Sequence, residues 1–149
     1  MVEKLPYKIR QLQKEDLGRG FFETLNNMSP VGNLNVERAN QIYDRITENP
    51  DNYVFVAELD GQIVGTVTLY VKPKFIREGR YVGRIADVAT RDNYEGKGIG
   101  RELILAAVEE AKKRGCRKVT LSSRKEAVEF YKKLGFVEWE VEMRMNFEE

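Results

Sequence analysis

The sequence predicts an α/β fold in which a mixed β-sheet carries helices on its faces. Two segments, Tyr53–Leu59 and Gln62–Val71, are rich in β-branched and aromatic residues and are joined only by Asp60-Gly61, a pair typical of a tight type I′ hairpin turn. Ile99–Arg114 has apolar residues at helical spacing and ends at Gly115. A predicted strand stands on each side of this helix, so strands and helices are interleaved.

One strand and two helices are predicted before the hairpin. Tyr7–Leu12 has the composition of a strand, and Asp16 then offers a carboxylate at a helix start, where free backbone N–H groups need an acceptor. The helical spacing continues through Leu17, Phe21, Leu25 and Met28. Residues 29–33 break this helix, and a second helical pattern follows on Val36, Ala39, Ile42 or Tyr43, and Ile46, before Asn49-Pro50.

Strands and helices alternate after the hairpin. The predicted elements are the buried strand Tyr81–Ala89, the glycine-bearing loop Thr90–Gly98, the helix described above, the strand Lys118–Leu121, the short helix Lys125–Lys133 and the final strand Trp139–Phe147. The last segment is predicted as a strand because its apolar residues alternate with polar ones. The element order is β-α-α-β-β-β-α-β-α-β. We expect residues 1–149 to form one domain, since no repeat or linker divides them.

The composition argues against several classes of protein. Basic and acidic residues number 25 and 24, so no overall positive field is expected to hold a nucleic acid. No stretch approaches the roughly 20 apolar residues of a membrane helix, and the first residues lack the apolar core of a signal peptide, which predicts a cytoplasmic protein. With the single cysteine Cys116 and no histidine, neither an internal disulfide nor a metal site is expected.

The loop before the long helix contains three glycines in the run 94–100, YEGKGIG. Glycines in this position let the backbone point several N–H groups at a ligand, beside a helix N-terminus whose dipole favours negative charge. The run is neither a Walker loop nor the dinucleotide fingerprint. A diphosphate would suit such a loop, and a flexible surface turn is the alternative that the glycines alone leave open.

Two motifs in a fixed order resemble those of the GCN5-related N-acetyltransferase superfamily. The first is the glycine loop with its helix start, Glu95–Ile104, and the second is Ala127–Phe136, which reads AVEFYKKLGF. The two motifs in this order are far more specific than either alone. The resemblance implies the fold of that superfamily and transfer of an acetyl group from acetyl-CoA to an amine.

A finer resemblance relates most of the chain to glucosamine-6-phosphate N-acetyltransferases. It rests on residues 16–25, 74–77, 83–88 and 141–143. The chain also departs from that pattern. Where those enzymes have Glu-Asp on the central strand, this chain has Ala86-Asp87, and where they open the glycine loop with Arg or Gln, it has Glu95. The run 122–127, SSRKEA, lacks the acidic residue and the Asn that they carry there.

The resemblance implies that the coenzyme lies along the central strand and the glycine loop. Backbone groups of Val88, Ala89 and Thr90 would bind the pantetheine arm, although their side chains also fit an ordinary core. The diphosphate would be held by Gly96, Lys97, Gly98, Ile99, Gly100 and Arg101. Glu95 would repel a diphosphate, so we expect its side chain to turn outward to solvent.

Acetyl transfer needs a proton acceptor for the amine and a proton donor for the departing thiolate. The resemblance implies Tyr131, beside the coenzyme, as the donor, and a phenol with a pKa of about 10 suits a thiol near about 8.5. Packing beside Phe130 is the alternative role for this tyrosine. Asp87 and water held by backbone carbonyls are the candidate bases, and an amine with a pKa of about 8 needs little help.

The sequence leaves the acceptor amine open between three possibilities. In the resemblance, the acceptor's sugar phosphate falls beside Lys74, Phe75, Ile76 and Arg77, with Ala86 and Asp87 nearby, although a cationic run is also typical of a solvated loop. Glucosamine 6-phosphate is the first candidate. Another amine, such as a polyamine, an antibiotic or a protein N-terminus, is the second, and a CoA-binding module without catalysis is the third. The resemblance also implies a homodimer, joined near the last strands.

Overall fold

A five-stranded sheet forms the centre of the protein in a computed structural model, which describes residues 5–148. Its strands are β1, Lys8–Gln11; β2, Asn52–Leu59; β3, Gln62–Lys72; β4, Tyr81–Thr90; and β5, Cys116–Thr120. They lie side by side in the order β1-β2-β3-β4-β5. The first four pair antiparallel and β5 pairs parallel to β4, so the sheet is mixed, as predicted.

Helices flank this sheet at the predicted places. They are α1, Phe21–Asn26; α2, Val36–Glu48; α3, Ile99–Lys113; and α4, Val128–Lys133. Short 3₁₀ turns cover Lys14–Gly18 and Lys125–Ala127, and a tight turn with left-handed backbone angles at its centre covers Ile76–Gly79. The side chain of Asn35 caps α2 by accepting a hydrogen bond from the backbone N–H of Arg38. Within residues 5–148, no helix combines the length and the apolar character that a membrane span requires.

The sheet has a hydrophobic core on each face. Alternate residues of β2 point to opposite sides, as the period of a strand requires. Phe55 and Ala57 belong to the core that contains Leu103 of α3, whereas Val56 packs with Phe21 of α1. The helices α1 and α3 therefore cover opposite faces of the sheet.

The hairpin between β2 and β3 has the predicted turn. Asp60 and Gly61 both have positive φ angles, 50° and 78°, as a type I′ turn requires. The predicted type I′ turn is therefore confirmed. This turn type is favoured in a two-residue hairpin because its backbone twist matches the twist of the two strands.

The first helical region differs from the single helix that the sequence predicts. It consists of the 3₁₀ turn and the short helix α1, separated by a turn at Gly20. Asp16 is fully buried and accepts hydrogen bonds from the Arg10 guanidinium, at 2.7 and 2.9 Å, and from the backbone N–H of Gln13, at 2.8 Å. Burial alone would raise the pKa of Asp16, but these hydrogen bonds lower it below 3.8. The carboxylate therefore accepts a backbone N–H at the start of the 3₁₀ turn, as predicted, and also fastens that turn to β1.

The C-terminal segment, residues 137–148, also differs from prediction, because it forms no strand. Its apolar side chains alternate as predicted, yet all of them are exposed, including Trp139 at 83% and Phe147 at 94%. A strand requires a neighbouring strand for its backbone hydrogen bonds. No described strand of the same chain pairs with this segment through backbone hydrogen bonds, and so the pattern remains without a sheet partner.

Candidate active site

The strands β4 and β5, the last two of the sheet order, are paired over only part of their length. Their pairing includes Tyr81, Gly83 and Arg84 of β4. Beyond Arg84, no residue of β4 pairs with β5 in the described part of the chain, although β4 continues to Thr90 and stays paired with β3. Residues 85–90 therefore have an open side, where an extended ligand can add to the strand through backbone hydrogen bonds.

A β-bulge interrupts β4 within this open half. Asp87 and Val88 together stand opposite the single residue Val67 of β3. Asp87 has a φ of 50°, which is uncommon for a residue other than glycine. A bulge bends the strand and redirects its backbone groups away from the regular ladder. Redirected N–H groups of this kind suit a site where a carbonyl oxygen gains negative charge.

The glycine loop leads from β4 into the N-terminus of α3. Gly98 directly precedes the helix with a φ of 85°, a conformation that side chains disfavour. A Cβ atom on Gly96 would meet no atom within 4 Å, and one on Gly100 would meet only Thr90 Oγ1 at 3.6 Å and Phe130 Cζ at 3.9 Å. The described chain leaves open space beside Gly96 and room for a Cβ atom at ordinary contact distances beside Gly100. The cradle therefore fits a diphosphate bound by the N–H groups of the helix start.

Tyr7, just before β1, supports this cradle from the protein side. Its hydroxyl group lies 3.5 Å from the carbonyl oxygen of Gly98 and forms a hydrogen bond with Glu102 in the first turn of α3. Burial, together with the Glu102 carboxylate, raises the pKa of Tyr7 to about 12, so the phenol remains a donor at neutral pH. The sequence analysis missed Tyr7 because it lies 91 residues before Gly98 and in no motif.

A cleft of about 940 Å³ lies beside β5, α4 and the C-terminal segment. Tyr131 lines this cleft, and its ring packs edge-on against Phe130 and Phe136. Burial raises the pKa of Tyr131 above 10.0, so its hydroxyl group keeps its proton at neutral pH. The position is compatible with both of the roles predicted for this tyrosine, aromatic packing and proton donation.

A smaller apolar cavity of about 190 Å³ lies beneath α1 and α2. Asp87 lines it together with Thr66, Thr68 and Tyr70. Burial, and secondarily the Asp87 carboxylate, raises the pKa of Tyr70. The two predicted catalytic residues therefore line different spaces, since Asp87 faces the cavity under α1 and α2 while Tyr131 faces the cleft beside α4.

The predicted phosphate-binding stretch, residues 74–77, contributes one residue to the described lining of the large cleft. Arg77 lines the cleft, whereas Lys74, Phe75 and Ile76 are exposed and do not belong to its described lining. Arg77 and Glu78 adopt left-handed φ angles of 52° and 61°. This tight turn separates Arg77 from the three residues before it.

Arg84 closes the point at which β4 and β5 separate. Its Nη1 donates to Thr120 Oγ1 at 3.3 Å, and its Nη2 donates to Ser122 Oγ at 2.5 Å and lies 3.5 Å from a carboxylate oxygen of Glu142. Arg84 lines the same cleft as Arg77. Five cationic side chains and three carboxylates line the cleft in total, so its electrostatic potential favours an anion.

Among residues 5–148, no cluster of three or more His, Cys, Asp or Glu residues could hold a metal ion.

Comparison with known proteins agrees with this arrangement. Residues 15–136 match the Acetyltransferase (GNAT) family. The chain belongs to this family. As a GNAT acetyltransferase it uses acetyl-CoA as co-substrate, and the matched region contains β4, the glycine loop and Tyr131.

Individual relatives of this GNAT acetyltransferase match it over almost its whole length. The glucosamine 6-phosphate N-acetyltransferase of Trypanosoma brucei brucei is 36% identical, over 98% of this chain and 99% of its own. Glucosamine 6-phosphate N-acetyltransferase 1 of Oryza sativa subsp. japonica is 35% identical, over 95% and 87%. The crystal structure of glucosamine-6-phosphate N-acetyltransferase from Arabidopsis thaliana superimposes with a TM-score of 0.92 at 28% identity, over 95% and 99%. The fold is therefore that of the GNAT acetyltransferases, as predicted.

Asn27, at the end of α1, is a further residue of this GNAT acetyltransferase that the sequence analysis missed. Its Nδ2 donates to the carbonyl oxygen of Thr90 and to Oε1 of Glu95, both at 2.6 Å. Glu95 is exposed, as expected, but its carboxylate is bound by Asn27 rather than only by solvent. No sequence signal could have identified Asn27, because these contacts arise only when the fold brings α1 beside the end of β4.

Proposed function

We propose that this acetyltransferase transfers the acetyl group of acetyl-CoA to the amine of glucosamine 6-phosphate. The similarity to enzymes named for this sugar phosphate carries the proposal, because it extends over nearly the whole chain. Similarity confined to the coenzyme motif would support only acetyl-CoA binding. Here it also includes α1, β3 and the loop before β4, which lie outside the coenzyme motif.

The open half of β4 supports the proposed binding of the pantetheine arm by Val88, Ala89 and Thr90. Their backbone groups belong to the part of β4 that has no β5 partner. The start of α3 would bind the diphosphate through its N–H groups, and the charges of Lys97 and Arg101 would add to the attraction. The open space beside Gly96 supports this assignment, since a bound anion would fill it.

Tyr131 would act as the general acid. During transfer a bond forms between the amine nitrogen and the carbonyl carbon, while the carbon–sulfur bond breaks and its electron pair leaves with the sulfur. Tyr131 would protonate that thiolate and regain its own proton from solvent. Its raised pKa supports the role, because the phenol is fully protonated at neutral pH.

Asp87 is the proposed base, with water held by backbone carbonyls as the alternative. It lines the cavity under α1 and α2, whereas Tyr131 lines the cleft beside α4. An amine with a pKa of about 8 is partly neutral at physiological pH, so the contribution of Asp87 is expected to be small.

Arg77 and Arg84 would bind the phosphate of the acceptor. Both guanidinium groups line the large cleft, and a guanidinium forms paired hydrogen bonds with phosphate oxygens. Lys74 lies outside the described lining of the cleft, so we assign it a smaller part than Arg77. The excess of cationic side chains around the cleft supports a phosphorylated acceptor.

A homodimer would account for the exposed C-terminal segment, with one acetyltransferase domain in each copy. Residues 137–147 present apolar side chains at every second position, and six of these residues are more than three-quarters exposed. A monomer that leaves such a surface in water is unusual, and pairing with a second copy would bury it. Light scattering at micromolar concentration should give twice the chain mass of 17.3 kDa. A monomer mass would contradict the homodimer.

Thiol release from acetyl-CoA tests the proposed reaction directly. Glucosamine 6-phosphate should give steady release, and glucosamine should be a much poorer acceptor because it lacks the phosphate. A polyamine and an aminoglycoside serve as alternative acceptors at the same concentration. Steady release with only one of these would indicate a different acceptor, and coenzyme binding without release on any amine would indicate a binding module.

A further inference from the structure

We propose that Asn27 is a positioning residue that holds the carboxylate of Glu95 away from the diphosphate-binding start of α3. The inference rests on the proposed function, because it concerns how the coenzyme is bound. It follows from the hydrogen bond of 2.6 Å between Asn27 Nδ2 and Glu95 Oε1, which joins the end of α1 to the glycine loop across 68 residues of sequence.

A free carboxylate at position 95 would be harmful to coenzyme binding for two reasons. It directly precedes the glycines, so its negative charge would repel a diphosphate bound there. It also lies only four residues before the start of α3, and carboxylates bind readily to the N–H groups of helix N-termini. An unrestrained Glu95 would therefore both repel the diphosphate and compete with it for the same donors.

Asn27 is well placed to prevent this, because α1 is firmly anchored. Thr24 of α1 is fully buried, and its hydroxyl group donates to the carbonyl oxygens of Gly20, at 2.9 Å, and Ile63, at 2.8 Å. The second bond from Asn27, to the carbonyl oxygen of Thr90, fixes its amide against the end of β4. The amide therefore has a fixed position, and Glu95 is drawn toward α1.

A simpler role for Asn27 would be to tie α1 to β4 through Thr90, with the contact to Glu95 incidental. The two roles differ in their dependence on charge. Holding the carboxylate matters only when residue 95 is negative and the ligand carries a diphosphate. If Asn27 only ties α1 to β4, its loss should weaken binding whatever residue stands at position 95, and for any ligand that binds to the open half of β4.

Calorimetric titration with CoA of four proteins separates these roles: the wild type, N27A, E95Q and N27A/E95Q. At low salt, Asn27→Ala should weaken CoA binding about three- to tenfold, the effect of one unit charge near an anion at an exposed site. In the Glu95→Gln background the same change should alter the dissociation constant less than about twofold, since no charge remains to be held. Melting temperatures should stay close to the wild type, because both side chains are exposed.

Two further measurements sharpen the test. High salt should reduce the loss of CoA affinity in N27A. It weakens the repulsion between Glu95 and the diphosphate, because surface charges are screened over about 8–10 Å at moderate ionic strength. S-acetylpantetheine, which has no diphosphate, should be used equally well by wild type and N27A. Equal weakening by N27A in both backgrounds, or no weakening in either, would overturn the proposal. If the wild type binds no CoA, the proposed function fails as well, so the two failures are distinguishable.

Discussion

The two halves of β4 differ in what they contact. One half is paired on both sides within the sheet, and the other half has an edge on which a ligand can bind. Residues 81–84 lie between β3 and β5, whereas residues 85–90 keep β3 on one side and have an open edge on the other. The bulge at Asp87 and Val88 belongs to the open half. A single strand can thus be paired on both sides in one half and offer backbone groups to a ligand in the other.

The glycines associated with each half show the same contrast. A Cβ atom on Gly83, in the paired half, would lie 3.0 Å from Val119 Cγ1 and 3.2 Å from Leu69 Cδ1, so glycine is needed there for close packing. A Cβ atom on Gly100, next to the open half, would make only ordinary contacts. The protein itself does not require glycine at position 100, and we attribute that glycine to the coenzyme.

Replacing Tyr131 should have the largest effect on acetyl transfer. Tyr131→Phe keeps the aromatic packing against Phe130 and Phe136 but removes the proton donor. Turnover should fall about 10²- to 10⁴-fold, the usual contribution of a general acid, while CoA affinity stays near the wild-type value. Turnover within about threefold of the wild type would leave packing as the only role of Tyr131.

The pH dependence of turnover provides an independent check on Tyr131. The phenol is competent while protonated, and that form is lost only as the pH rises through its folded pKa, which burial raises above 10.0. Turnover measured with saturating substrates should therefore show no decrease attributable to Tyr131 between pH 7 and about 9. A decrease in that range that disappears in Tyr131→Phe would contradict the assigned pKa.

Replacing Arg77 should have the next largest effect, and it tests the acceptor. Arg77→Ala should lower kcat/KM for glucosamine 6-phosphate roughly 10- to 150-fold, the cost of one charge-assisted hydrogen bond. Glucosamine and acetyl-CoA should be little affected, because neither is assigned to this guanidinium. Lys74→Ala is the matched control and should have a much smaller effect. Equal losses with both sugars would show that the arginine belongs to a solvated loop.

A pair of glycine variants compares the two halves of β4 most closely. Gly100→Ala should fold with unchanged or higher stability, yet raise the KM for acetyl-CoA about tenfold or more as one anion contact is lost. Gly83→Ala should do the opposite, because overpacking costs about 1–3 kcal/mol and lowers the melting temperature, with KM unchanged in the folded enzyme. Thermal melts and steady-state kinetics on both proteins decide the matter. Similar effects of the two variants on the KM for acetyl-CoA would contradict the different roles assigned to Gly100 and Gly83.

Local sequence signals predicted the regular parts of the fold well. The hairpin follows from Asp60-Gly61, and α3 follows from its apolar spacing and from Gly115. The glycine loop was predicted because its position between a strand and a helix is visible in sequence. In each case a short stretch of chain contains the physical cause of its own structure.

Features that depend on distant contacts could not be predicted in this way. The first helical region breaks at Gly20, and Asp16 belongs to a short 3₁₀ turn that the buried contact with Arg10 fastens to β1. The predicted last strand has no strand to pair with in the described chain. Its alternating pattern puts the apolar side chains on one face, but it does not identify the strand that would pair with it. The contacts of Asn27 and of Arg84 join elements that only the finished fold brings together.

Amide hydrogen exchange with and without acetyl-CoA tests the central claim most directly. Acetyl-CoA should slow exchange about tenfold or more at those amides of residues 85–90 that are not bonded to β3, and at residues 96–101 of the cradle. Residues 81–84, which lie between two strands, should be protected from the start and change little. Protection by saturating acetyl-CoA confined to residues 81–84, or absent from both 85–90 and 96–101, would contradict the assignment of the open half of β4 as the coenzyme site.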